Sequence, residues 1–230
     1  DGIRDLVRSR GLGDVYKSRL DDLGDSDMAI ECFDAALGIQ PNEVTALSNR
    51  GNSLRTLGRF SDADSSYEAA LAEDPQDLAA RLGRGICRFE QGEQDEGLQL
   101  LREIVEETGH SVARFEYSLL LCRQDQYEEA LIVLDSIVED GLGSPEIFNN
   151  RGECLAKLSR AEEALASFDD SLALDEEFTG ALFGKARLLV NLDRLDEARP
   201  VTQRLIDAAS PQETQQDYIR ALASVCEIDV

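Results

Sequence analysis

Residues 44–77 read VTALSNRGNSLRTLGRFSDADSSYEAALAEDPQD, and this stretch decides the fold. It divides into two short amphipathic halves. Gly51, Leu54 and Leu57 share a stripe at i, i+3 and i+6 in the first; Ala63, Tyr67, Ala70 and Leu71 do so in the second. Gly58-Arg59 supplies the loop between them, and Asp74-Pro75 closes the unit. Small side chains at Gly51 and Ala63 let two helix axes approach, where larger ones would cost overpacking strain. The unit then recurs. Gly24, Gly58, Gly92, Asp125, Ser159 and Asp193 are spaced by 34, 34, 33, 34 and 34 residues. A fixed period of this size is the mark of a solenoid.

The period divides the chain into six helix pairs at 10–43, 44–77, 78–110, 111–144, 145–178 and 179–212. A lead-in helix at 1–9 and a capping helix at 213–228 complete one domain over 1–230. The first pair opens on a poor copy, with Lys17 where glycine belongs, as suits a terminal repeat that meets water on one side. The third is one residue short and closes on Gly109 instead of proline. The register of the fourth is fixed by Tyr127-Glu128-Glu129-Ala130. In the sixth, Pro200 falls inside the second helix, where it should delay or kink the start. Tyr67 and its counterparts Phe33, Leu101, Leu134 and Phe168 are placed to plug the space between adjacent units.

The unit resembles the tetratricopeptide repeat on Leu47, Gly51, Leu54, Ala63, Tyr67, Ala70 and Pro75, and again on Phe148, Gly152, Leu155, Ala164, Phe168 and Ser171. The resemblance covers about residues 10–210; Lys17, the missing turn prolines after Pro75 and Thr202 at an aromatic site depart from it. It implies an all-α, right-handed superhelical solenoid whose concave groove is lined by the first helix of each pair. It also implies a role in holding other proteins, often as extended peptides.

Composition excludes several classes. An apolar content of 42% is too high for a disordered acidic chain. No apolar run approaches the ~20 residues of a membrane span, and no secretory signal opens the chain. Five cysteines, an odd number without CxxC or CxxH spacing, point to a reducing, cytoplasmic setting with no metal site. Cys87 and Cys154 share one small repeat site and should act as apolar filler. The chain opens at Asp1 without methionine, the pattern of a piece cut from a longer polypeptide. The net charge of −24 opposes nucleic-acid phosphates. Salt adaptation, a basic partner and ordinary helix-surface drift all account for it. Only Lys17, Lys157 and Lys185 are lysines among 23 basic residues, a balance that resembles proteins of halophilic microbes and places salt adaptation first.

Catalysis has little to stand on. His110 is the single histidine and falls in a turn, without a positioned nucleophile. No GxGxxG or P-loop occurs, so no cofactor is implied. The cluster Asp21, Asp22, Asp25 and Asp27 lacks the ligand order of a calcium loop and reads as a helix end followed by an N-cap. Arg50, Arg84, Arg151 and Lys185 recur before the small residue of each first helix, which marks them as parts of the repeat, paired to neighbouring acids.

Variable first-helix positions are better candidates for a partner-binding groove. In the second repeat these are Ser48, Asn49, Asn52 and Arg55, with Thr56 beside them; in the fifth, Asn149, Asn150 and Glu153, with Ala156 and Lys157. An asparagine amide can donate and accept toward any peptide backbone, but Gly83, Glu116 and Gly184 interrupt a continuous ladder. Leu82, Ile86, Phe89, Phe115, Leu119, Cys122 and Phe183 form an apolar strip flanked by Glu116, Arg123 and Arg187. The carboxylate clamp of chaperone-binding tetratricopeptide domains is not matched, because Asn52 lacks its basic companions. The sequence thus reads as a protein-binding scaffold. A regulatory or assembly domain of a larger enzyme or signalling protein is the rival reading, and self-association a third.

Overall fold

A computed structural model describes residues 26–208 and 216–227. The chain forms two compact units, residues 1–113 and 114–230, each taken here by itself. The first holds α1 (Ser26–Leu37), α2 (Val44–Thr56), α3 (Phe60–Glu73), α4 (Leu78–Glu90) and α5 (Gln94–Thr108). The second holds most of α6 (Ser111–Arg123), then α7 (Tyr127–Glu139), α8 (Pro145–Lys157), α9 (Ala161–Leu174), α10 (Thr179–Asn191), α11 (Leu195–Ala208) and α12 (Gln216–Val225). No strand occurs among the described residues. The lead-in helix, Lys17 and the acidic run before Ser26 lie outside them.

In the first unit α2 pairs with α3 and α4 with α5, while α3 and α2 both pack on α4. The second repeats the scheme: α8 pairs with α9 and α10 with α11, α7 packs on α8, and α10 takes contacts from α8 and α9. A first helix is thereby covered from several sides. The closing helix α12 rests on α10 and α11.

The 34-residue period has a backbone cause. Gly58, Gly92, Asp125, Ser159 and Asp193 all adopt a left-handed conformation, with φ from 58° to 94°. Each ends a first helix in the same way. The amide after it reaches back to a helical carbonyl: Arg59 to Leu54, Glu93 to Arg88, Gln126 to Leu121, Arg160 to Leu155 and Arg194 to Leu189. This is the Schellman closure, which pairs carbonyls the helix end would otherwise leave bare. Three first helices begin on side-chain caps: Glu43 accepts from Thr45 and Ala46, Asp77 from Ala80 at 2.8 Å, and Ser144 from Ile147 at 3.3 Å.

The core is built from rings seated on glycines. Tyr67 is fully buried, and a methyl on either Gly51 or Gly83 would collide with its ring. Phe168 is held the same way, with a Cβ on Gly152 or on Gly184 falling 2.7 Å from its Cε1. Each ring therefore lies between two successive first helices, with Leu54, Ala63, Ala70, Ala80 and Cys87 completing the cluster around Tyr67. Full burial of such a ring contributes on the order of 3 kcal/mol. The Tyr67 hydroxyl donates to Asn52 Oδ1 at 2.8 Å, which meets the requirement that a buried phenol be bonded.

The recurring cations pair as the repeat demands. Arg50 Nε meets Asp34 at 2.6 Å, Arg84 Nη2 meets Glu68 at 2.9 Å, Arg151 Nε meets Asp135 at 2.6 Å, and Lys185 meets Asp169. Every pair spans 16 residues, from a second helix to the first helix of the next repeat. Their acids are partly exposed, so each contributes no more than about 1 kcal/mol. Pro200 departs from expectation. The helix α11 starts at Leu195, in register with Ala161 of α9, and runs through the proline. Pro200 is exposed, so the carbonyl left without an amide partner one turn back is open to water.

Candidate partner-binding surface

In the first unit the polar side chains expected on the open face are largely occupied internally. Ser48 is 3% exposed, and its hydroxyl donates to Asp77 Oδ1 at 2.7 Å, steadying the carboxylate that caps α4. Asn49 is likewise buried. Asn52 is half-buried and accepts from Tyr67. Arg55 is half-buried beside Tyr67 and Cys87, and its buried Nε has no hydrogen-bond partner. Burial pushes the Tyr67 hydroxyl well above its ordinary range and the Cys87 thiol up to about 11; the Arg55 charge opposes both rises. Leu82, Ile86 and Phe89 of the expected apolar strip are core residues. The neighbours α2, α3 and α5 all press on α4, and those three keep only a few per cent of their surface.

The second unit keeps its polar set nearer the surface. Phe115 and Glu116 on α6 are half-buried and Arg123 is exposed. Asn149, Asn150 and Glu153 on α8 are half-buried, as are Phe183 and Arg187 on α10. Three of these form one group. Arg187 Nη2 donates to Glu153 Oε2 at 2.5 Å, while the same guanidinium stands 5.6 Å from the centre of the Phe183 ring. Gly184 makes room for it, since a methyl there would meet Glu153 Oε1 at 2.7 Å. One turn away, Asn149 Oδ1 is buried without a hydrogen-bond partner, close to Gly180. Asn150 turns inward along its own helix and donates to the Glu146 carbonyl at 2.8 Å.

Beside this group is a cavity of 140 Å³ lined by Phe183, Arg187, Ala221, Leu222 and Val225. The three α12 residues were not among the positions singled out by the repeat pattern. Their helix follows the last described helix pair, outside the repeats from which the candidate positions are drawn. His110 is exposed in the turn before α6, and its Nδ1 accepts from the Val112 amide at 3.3 Å, a capping role. Among the described residues no three His, Cys, Asp or Glu side chains converge as a metal site would require.

Comparison with known proteins agrees with this architecture. A tetratricopeptide-repeat family model matches residues 18–63, 48–112, 118–177 and 150–214. The DnaJ homolog subfamily C member 7 homolog of Schizosaccharomyces pombe is 25% identical over 198 residues, 86% of this chain and 38% of its own length. The chain thus spans well under half of that relative. Yeast Tom70 superposes with a TM-score of 0.73 at 17% identity, over 85% of this chain and 42% of its own. TTC0263, a thermophilic TPR protein of Thermus thermophilus, gives a TM-score of 0.63 at 25% identity, over 80% of this chain and all of its own. With the family model matched along most of its length and the turns, rings and glycines in their repeat positions, the chain belongs to the tetratricopeptide repeat family.

Proposed function

We propose that this chain is a protein-interaction scaffold that holds a partner segment on the first helices of its repeats. In the second unit the binding face comprises Phe115, Glu116 and Arg123, then Asn149, Asn150 and Glu153, then Phe183 and Arg187. In the first, Asn52 and Arg55 are the accessible remainder of the set that includes Ser48 and Asn49.

The group Glu153–Arg187–Phe183 beside its cavity supports this reading most directly. A volume of 140 Å³ falls below the roughly 300–1,000 Å³ of small-molecule pockets, and suits one apolar anchor side chain of a polypeptide. Arg187 in its lining and Asn149 on α8 near Gly180 offer guanidinium and amide groups to the main chain of such a segment. A chain that spans 38% of a curated relative also suits a second reading, a docking module within a larger protein.

The test is site-specific photo-cross-linking. Benzoylphenylalanine replaces Phe183 in one preparation and the exposed Ile132 of α7 in another. A partner should be captured through 183 and not through 132. Its affinity should then fall tenfold or more in Arg187→Ala, with the unfolding midpoint nearly unchanged. Equal capture at both positions, or an unaltered affinity in Arg187→Ala, would count against this face.

A further inference from the structure

We propose that Cys122 and Cys154 form a thiol pair that hydroperoxide converts reversibly into a disulfide linking α6 to α8. Their sulfurs lie 3.2 Å apart within the second unit, hydrogen-bonded to one another. No disulfide joins any of the five cysteines in this structure. A disulfide bond is about 2.05 Å long, so the sulfurs must close by about 1 Å, within reach of side-chain adjustment. The burial of the two is unequal. Cys122 is half-buried and Cys154 fully buried, so an oxidant from solvent meets Cys122 first.

The unequal exposure assigns the roles, and the hydrogen bond, in which either sulfur can donate, accords with it. With Cys154 as donor, the bond holds the Cys122 thiol below its ordinary range against its own burial and the nearby Glu153 charge. The same bond, with burial and the charge on Cys122, pushes the Cys154 thiol up. Cys122 is therefore the thiolate nucleophile and Cys154 the resolving thiol. The Cys122 thiolate attacks one oxygen of hydrogen peroxide, the O–O bond breaks, and a sulfenic acid forms as hydroxide leaves. The Cys154 sulfur then attacks the sulfenic sulfur, the S–O bond breaks, and the Cys154 proton leaves with the oxygen as water. In sum two thiols and one peroxide give one disulfide and two waters, with two electrons passing from sulfur to peroxide. A dithiol reductant reverses the result by exchange.

The consequence is a covalent tie between the first helices of two successive repeats. Glu153 neighbours Cys154 in sequence, so the tie would also fix part of the proposed binding face; this last point rests on the binding reading, and the chemistry does not.

The experiment treats the full chain with hydrogen peroxide under native conditions, blocks remaining thiols with iodoacetamide and digests with trypsin. Peptides 115–123 (FEYSLLLCR) and 152–157 (GECLAK) should appear joined, two hydrogens lighter than their sum. Free thiols should fall from five to three, the chain should run as a monomer on a non-reducing gel, and dithiothreitol should restore both peptides. Separately oxidised peptides, or a linkage to another cysteine, would overturn the proposal. In Cys154→Ser, which has no resolving thiol, dimedone should label Cys122 as its sulfenic acid; absence of that adduct removes Cys122 as the nucleophile. In Cys122→Ser, Cys154 should resist peroxide, and its oxidation there would refute the assigned order.

Discussion

At the scale of single residues, glycine here is a packing element. Gly51 and Gly83 face the two sides of the Tyr67 ring, and Gly152 and Gly184 those of Phe168. Gly152→Ala forces a methyl to within 2.7 Å of Phe168 Cε1, from α8, which cannot retreat without disturbing its packing on α7, α9 and α10. We expect a destabilisation of about 1–3 kcal/mol, read as a lower urea midpoint at unchanged slope. Adding Phe168→Leu should recover part of it, because leucine already fills the same site at Leu101 and Leu134. A neutral Gly152→Ala would mean that the ring is not clamped. Much of this was legible in the sequence, where the glycines and rings repeat at fixed positions. Their partnership was not. The glycines were placed to let two helices of one repeat approach, whereas each ring bridges two repeats, through glycines 32 residues apart rather than 34.

At the scale of elements, the break between the helices of each described pair falls at the periodic turn residue, because its left-handed conformation is set by the chain itself. The burial of the first helices did not. An amphipathic stripe assumes one buried face, but α4 is pressed from three sides, which takes Leu82, Ile86 and Phe89 into the core. The same assumption leaves Ser48 and Asn49 open, whereas the bond from Ser48 to the capping Asp77 crosses 29 residues that no local pattern connects. The contact between Cys122 and Cys154 shares the 32-residue offset of the glycine pairs, so a search at the repeat period passes over it. Pro200 is the element-level test. It withholds one amide in an exposed stretch of α11, and Pro200→Ala should stabilise the protein by about 1–3 kcal/mol, seen as a raised thermal midpoint. A lowered midpoint would show that the ring is needed where it stands.

At the scale of the whole molecule, charge dominates. The chain carries −24, and its ion pairs are mostly half-exposed, each worth about 1 kcal/mol or less. Salt weakens those pairs slightly but relieves repulsion among the unpaired acids. Raising it from 0.1 to 1 M shortens the screening length from about 10 to about 3 Å. We expect the melting midpoint by circular dichroism to rise over that interval; a flat or falling midpoint would show that the acids are already balanced. The seating of rings on glycines carries one more implication. Each ring rests on a glycine behind it and one ahead, so a repeat is addressed to its successor and the array has a direction. Thr202 occupies the ring position of the last described pair, with its hydroxyl turned back to the Ala198 carbonyl and Cys226, just past α12, beside it. Threonine at this position asks nothing of a next glycine, so the coupling between successive first helices seen at Tyr67 and Phe168 is not carried through it.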